Sequence, residues 1–426
     1  MDIQKHIDNL NNPETDERLK SLTFLAKAIK EGEYKLPKPC DVFVNNHIHT
    51  TYSFSPYSPA KAVWMAVNAG LVTAGIMDHD SISGAREFIE AGKIMGLETT
   101  IGFETRVSIA KTKLNGKKLN NPDQDTVIYM GVHGIPHTQI SKVEAFLKPY
   151  REKRIERDRK MIDNINNIIS PYGFTLDFDK DVIPISLYAK GGTITERHIL
   201  YALSKKIVEK YGKGQKCVDF IKNEMNLSVS AKIEAFLLDK NNDVYEYDLL
   251  GVLKSDMVEK FFIKASDECP DVQKAVDFAK EIGAISAYAY LGDVTASVTG
   301  DKKAQKFEDD ILDEVFKMLH EVGYSAVTYM PSRNTDAQLT RLKNLCDEHG
   351  FMQISGEDIN SPRQSFICKA LEDPKFANLI TATWALIGHE KEATKDLNNG
   401  IFSKETINKY PDLKERLDVY AELGKK

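Results

Sequence analysis

The sequence predicts an α/β protein in which about seven short strands alternate with helices, interrupted by a mainly helical insertion. Three observations carry this expectation. Apolar runs of four to seven residues recur between amphipathic segments. Helix caps, glycines and prolines fall at the boundaries of those segments. The alternation lapses near residue 138 and resumes near residue 280.

The elements follow in order. DERLKSLTFLAKAIKEG places Leu19, Leu22, Leu25, Ala26 and Ile29 on one helical face and ends at Gly32, and KLPKPC then breaks the helix. DVFV is the first expected strand. SPAKAVWMAVNAG is a helix with Ser58 as cap, Pro59 in the first turn and Gly70 at its end. TAGIM, ETTIGF and TVIYMGV are strands, with the helix SGAREFIEAGKIMG after the first of them. The polar KTKLNGKKLNNPDQD is a loop or hairpin tip. SKVEAFLKPYREKRIERDRKMIDNINNII is one long or broken helix rich in Arg and Lys, and TERHILYALSKKIVEKYG is a further helix. AISAYAY, YSAVTYM and FMQISG are the resumed strands, separated by helices over QKFEDDILDEVFKMLHEVG and TDAQLTRLKNLCDEHG, and the last fifty residues are helical. Such alternation implies parallel strands with right-handed crossovers, in either a barrel or an open doubly wound sheet. No GxGxxG or GKS/T loop follows a strand, which disfavours a nucleotide-binding open sheet.

Composition narrows the function classes. The 426 residues are 42% apolar and 28% charged, enough for a sizeable core in a soluble globular chain. A net charge of -6 argues against bulk binding to long nucleic acid. Five dispersed cysteines without CxxC spacing fit a reducing compartment. The first residues are too polar for a signal peptide, and no apolar stretch approaches the roughly 20 residues of a membrane span. The expectation is a cytoplasmic protein without membrane contact.

The chemistry lies where the expected strands end. His47 and His49 close the first, Asp78, His79 and Asp80 the second, Glu104 the third and His133 the fourth; the later strands end in Tyr290, in Tyr329, and in Glu357 and Asp358. Residues at i and i+2 of a strand share a face, so the HxH at 47–49 offers two imidazoles together. Imidazole plus carboxylate without thiolate suits Zn, Mn or Fe rather than Ca or a structural zinc. The set exceeds the needs of one ion, and a carboxylate such as Glu104 can bridge two, an arrangement that serves phosphoester cleavage.

HIHT at 47–50, DHD at 78–80, GFE at 102–104 and GED at 356–358 together resemble the PHP (polymerase and histidinol phosphatase) family. The resemblance implies a distorted (β/α)7 barrel with two or three metal ions at its C-terminal mouth. It divides the chain into an N-terminal helical segment at 1–40, barrel at 41–137 and 281–370, an inserted mainly helical domain at 138–280 and a C-terminal helical segment at 371–426. It implies His47, His49, Glu104 and Asp358 around the first ion, Glu104 and His133 at a second, and His79 at a third position. Asp78 is implied as a ligand or as a carboxylate orienting one. RIERDRKMIDNIN and TITERHILYAL are similar to the insertion of the family's nucleotide-phosphate-hydrolysing subgroup, which makes Arg197 and His198 candidates for phosphate binding and His198, with Glu104 and Asp358, a candidate for the chemistry. The alternative for Arg197 and His198 is a capped helix start on a solvated face.

The sequence departs from the family at three places. Tyr290 and Asn360 stand where His is expected, and Phe54 and Ser55 stand where a further ligand is expected. The expected activity is metal-dependent hydrolysis of a small phosphorylated metabolite or nucleotide by activated water, with two divalent ions (one to three) of Mn, Zn or Fe. The alternatives are a degenerate barrel that binds or regulates, and a metal-dependent C–N or C–O hydrolase.

Overall fold

The computed structural model describes residues 2–294 and 305–426. Seven strands lie side by side in chain order: β1 Val44–Ile48, β2 Thr73–His79, β3 Glu98–Ser108, β4 Val127–His133, β5 Ile285–Ala289, β6 Ala326–Tyr329 and β7 Met352–Ser355. The sheet curls until its edges meet. Ile359, just past β7, accepts from His49 N at 2.9 Å and donates to His47 O at 3.1 Å. The fold is the expected α/β architecture, a nearly closed seven-stranded barrel wrapped in helices.

Two strands differ from the expectation. β1 is displaced from DVFV into VNNHI, and all five of its residues are buried. Its asparagines find partners inside: Asn46 Nδ2 donates to Ser355 O and Thr383 Oγ1, both at 2.8 Å, and Asn45 Nδ2 to Glu357 O at 3.1 Å. Hydrogen-bonded polar groups are tolerated in an interior, so a reading by hydropathy misplaces this strand. The second correction concerns direction. β4 runs antiparallel to both β3 and β5, while the other pairs are parallel. Residues 109–126 join β3 to β4 without a helix, and a strand pair linked by a hairpin needs no crossover.

The outer layer comprises helices α1 Ile3–Asn9, α2 Thr15–Lys30, α3 Pro59–Asn68 and α4 Ala85–Met95, joined after the insertion by α10 Val272–Glu281, α11 Leu312–Val322 and α12 Asp336–His349. The insertion contains α5 Ile140–Ile169, which passes unbroken through Pro149, then α6 Glu196–Tyr211, α7 Gln215–Asp219, α8 Ala231–Leu238 and α9 Tyr245–Phe261. It has its own core around Ile165, Leu203, Phe220 and Leu253, and Phe54 of the β1–α3 loop is buried in that core. The barrel thus contributes an anchoring side chain to the insertion.

The tail folds as α13 Ala377–Lys395, α14 Lys404–Lys409 and α15 Leu413–Gly424. α13 seals the end of the barrel opposite Glu104. Its Thr383 meets Asn46 of β1, its Glu390 accepts from Thr100 and Ile101 of β3, and its His389 bonds Gly134 just past β4. Among the described residues no helix is long and apolar enough to cross a membrane.

Candidate metal centre

β1, β2 and β3 bring their polar ends to one place. His47 and His49 share a face of β1, with ring centroids 5.0 Å apart. β2 and β3 run parallel with His79 paired to Glu104, so His79 Nδ1 lies 3.0 Å from Glu104 Oε2. Glu104 Oε2 is 3.8 Å from His47 Nε2, and Asp358 Oδ1 is 3.1 Å from His49 Nε2. Single donor atoms of His47, His49 and Glu104 all fall within 4.8 Å of one another.

The Nε2 atoms of His47, His49 and His133 are buried without a hydrogen bond among the described residues. The approach of Asp358 to His49 is an electrostatic contact outside hydrogen-bond alignment. Buried polar atoms are normally bonded, and each exception requires a reason. The Nε2 atoms of His47 and His49, near carboxylates but without an aligned hydrogen bond, fit together with Glu104 a divalent cation of the Zn, Mn or Fe type.

His133 reaches this place by a route of its own. Because β4 is antiparallel, its C-terminal end points away from the mouth. Gly131 pairs directly with Glu104 and leaves the space above His133 empty. A Cβ on Gly131 would stand 2.8 Å from His133 Nε2, so the imidazole fills the room that a side chain at 131 would occupy.

The electrostatics follow from burial and neighbours. Burial opposes the charged form of His47, but the Glu104 carboxylate outweighs it and raises the pKa. Burial opposes ionisation of Glu104 as well, yet His79 and His47 hold the carboxyl well below its usual range. Burial and the neighbouring His79 lower His49. Burial, helped by His47, pushes His133 down to about 3. Glu104 is thus favoured ionised and His49 and His133 neutral, as cation ligands need, whereas the Glu104 carboxylate favours the charged form of His47.

The remaining candidates are placed as follows. Asp78 accepts from Thr50 N, Thr50 Oγ1 and Ser53 Oγ, each at 2.6 Å. Ser53 Oγ lies 3.3 Å from His49 Nδ1, so Asp78 reaches the cluster only by orienting His49. His198 lies in the first turn of α6. Its Nδ1 accepts from Thr195 N at 3.1 Å in a capping box, its ring meets the Phe54 edge, and burial pushes its pKa down to about 3. It is a buried member of the capping box that opens α6. Arg197 does face the mouth: Nη1 donates to Asn360 Oδ1 at 2.7 Å, and Asn360 Nδ2 donates to Asp358 Oδ1 at 2.6 Å. Tyr290 turns its hydroxyl to Asp309 at 2.6 Å, Tyr329 to Gln353 at 3.0 Å, and Glu357 accepts from Ser332 at 2.6 Å; none of the three joins the histidines.

Sequence reasoning missed Tyr129 and Arg106, and it placed Asp80 at the end of the second strand without giving it a role. Tyr129 pairs with Arg106 across β3 and β4, two residues beyond the Glu104–Gly131 pair, and its ring centroid is 6.0 Å from His79. The period of two in YMGVH, which puts Tyr129, Gly131 and His133 on one face, is the signal that could have found it.

The PHP domain family model matches residues 45–326. A 90-residue stretch is 31% identical to the error-prone DNA polymerase of Nocardia farcinica, covering 21% of this chain and only 8% of that polymerase. A solved structure of a proposed metal-dependent phosphoesterase from Bifidobacterium adolescentis superposes with a TM-score of 0.51 at 18% identity, over 81% of this chain and 98% of that one. An amidohydrolase from Chromobacterium violaceum, solved with sulfate and no metal, gives a TM-score of 0.49 at 15% identity, over 76% and 89% of the two chains.

Proposed function

Because the chain belongs to the PHP domain family, we propose that it is a metal-dependent hydrolase of phosphate esters, acting on a small phosphorylated metabolite or nucleotide. The observation that carries the proposal is that donor atoms of His47, His49 and Glu104 converge within 4.8 Å while the Nε2 atoms of both imidazoles are buried without an aligned hydrogen bond. His47, His49, Glu104 and Asp358 would hold one divalent ion, Glu104 and His133 a second, and His79 stands ready beside Glu104. Bound ions of the Mn, Zn or Fe type supply Lewis acidity for water and for the phosphoryl oxygens.

The protein's own groups do the rest. Asp78 holds His49 in orientation through Ser53. Arg197 presents a fixed cation at the mouth, suited to a phosphate. Tyr129 is kept protonated by burial and stands next to His79, where it can donate to a substrate oxygen. Five unpaired cysteines support a cytoplasmic location.

The test is hydrolysis of a phosphomonoester panel by protein loaded with Mn or Zn, beside Glu104→Gln. Turnover of at least one member, lost in the variant, is expected. Metal-loaded protein that turns over no member contradicts the proposal. A barrel that binds phosphate without turnover is the second reading, favoured by Tyr290 turning to Asp309 and by Asn360 tying Asp358 to Arg197. It predicts phosphate binding that Glu104→Gln leaves unchanged.

A further inference from the structure

The turn that follows His79 is held from outside the barrel. Asp80 has φ of 46°, in the left-handed region that costs a non-glycine residue about 1 kcal/mol or more. Such a conformation persists only where the surroundings fix it. The polar groups of Asp80 are bonded on two sides. On β3, its N donates to Glu104 O at 2.7 Å and its Oδ1 accepts from Thr105 Oγ1 at 2.6 Å. On α5, Arg151 Nη1 donates to its carbonyl at 3.1 Å and Arg154 Nη1 pairs with Oδ2.

Arg154 is itself fixed. Its side chain is 6% exposed, and its Nε lies 3.3 Å from Glu268 Oε1. Glu268 also binds Arg106 of β3 and Arg157 of α5, the latter at 2.6 Å. The insertion and the mouth strands thus share one buried ionic network that ends on Asp80, next to His79. Phe54 already anchors the insertion apolarly, so docking does not by itself require a carboxylate at 80.

We propose that Asp80 and Arg154 are positioning residues for the His79–Glu104 pair, which makes the helical insertion a part of the divalent-cation site. The inference rests on the metal reading above. Asp80 is covalently next to His79 and hydrogen-bonded to the backbone of Glu104, so the turn sets both partners of the 3.0 Å contact between them. Without Arg154, the buried Asp80 carboxylate loses its cation, and relaxing towards water would release the turn.

The experiment titrates full-length, metal-stripped protein with Co(II), reading affinity and the visible absorption band. Asp80→Asn keeps a residue that tolerates positive φ, and Arg154→Met removes the cation. Glu87→Gln is the control: it loosens the buried Arg18–Glu87 pair in the outer helical layer. The proposal predicts Co(II) binding weakened about tenfold or more, with an altered band, in both Asp80→Asn and Arg154→Met. It predicts that Glu87→Gln lowers the Tm and leaves affinity and band as in wild type. Wild-type affinity and band in the two mouth variants overturn it, as does an equal change in the control. Wild-type protein that takes up no Co(II) overturns the metal reading itself, and this inference with it.

Discussion

At the scale of single residues, the proposed second cation position depends on a side chain that is missing. Gly131 gives the His133 imidazole its room, and a Cβ there would collide with it at 2.8 Å. Gly131→Ala is therefore expected to lower the metal stoichiometry by one ion and to cut the hydrolytic rate about tenfold or more, with little change in Tm. Metal analysis beside a thermal melt checks this; unchanged stoichiometry would remove His133 from the centre. His47, His49, Glu104 and Asp358 were legible in the sequence because imidazoles and carboxylates after apolar runs carry chemical meaning without a structure. The diversion of Tyr290 to Asp309 was not legible, since it depends on a hydrogen-bond partner that the strand pattern does not reveal, and the burial of the capped helix start at His198 was not legible either.

At the scale of elements, six of the seven strands were legible from their apolar runs, but neither the position of β1 nor the direction of β4 was. β1 is built from polar residues whose partners, Ser355 and Thr383, lie more than three hundred positions away. β4 turns back because a helix is absent, and the polar composition of residues 109–126 leaves loop and hairpin equally open. The tail makes a separate prediction. Gly388 of α13 and Gly424 of α15 meet so closely that a Cβ on Gly388 would lie 2.0 Å from Tyr420 O, a backbone atom that cannot swing aside. Gly388→Ala is expected to cost about 2–3 kcal/mol in chemical denaturation, with metal content unchanged. Wild-type stability in the variant would show that the two helices do not pack so closely.

At the scale of the whole molecule, stability carries an acid limb set by buried neutral histidines. His389 donates from Nε2 to Gly134 O and accepts from Ile401 N at Nδ1, each at 3.0 Å, and burial pushes its pKa down to about 4. The unfolded chain binds a proton at this residue below about pH 6.5 while the folded chain does not, so stability falls as pH drops, by up to about 1.4 kcal/mol per pH unit. His198 adds a term of the same sign. Gln at 389 can keep both hydrogen bonds without titrating, so His389→Gln is expected to shrink the stability loss between about pH 6.5 and pH 5 by about 2 kcal/mol in urea unfolding. Equal acid sensitivity in variant and wild type contradicts this. The claim on which the functional account stands is that the barrel mouth is a cation site, and the most direct measurement is metal analysis of the purified protein, wild type beside His49→Ala, after reconstitution with Mn, Zn and Fe. The account predicts two ions per chain in wild type and their loss in a variant that remains folded. Metal-free wild-type protein, or ions retained without the His49 imidazole, would contradict it.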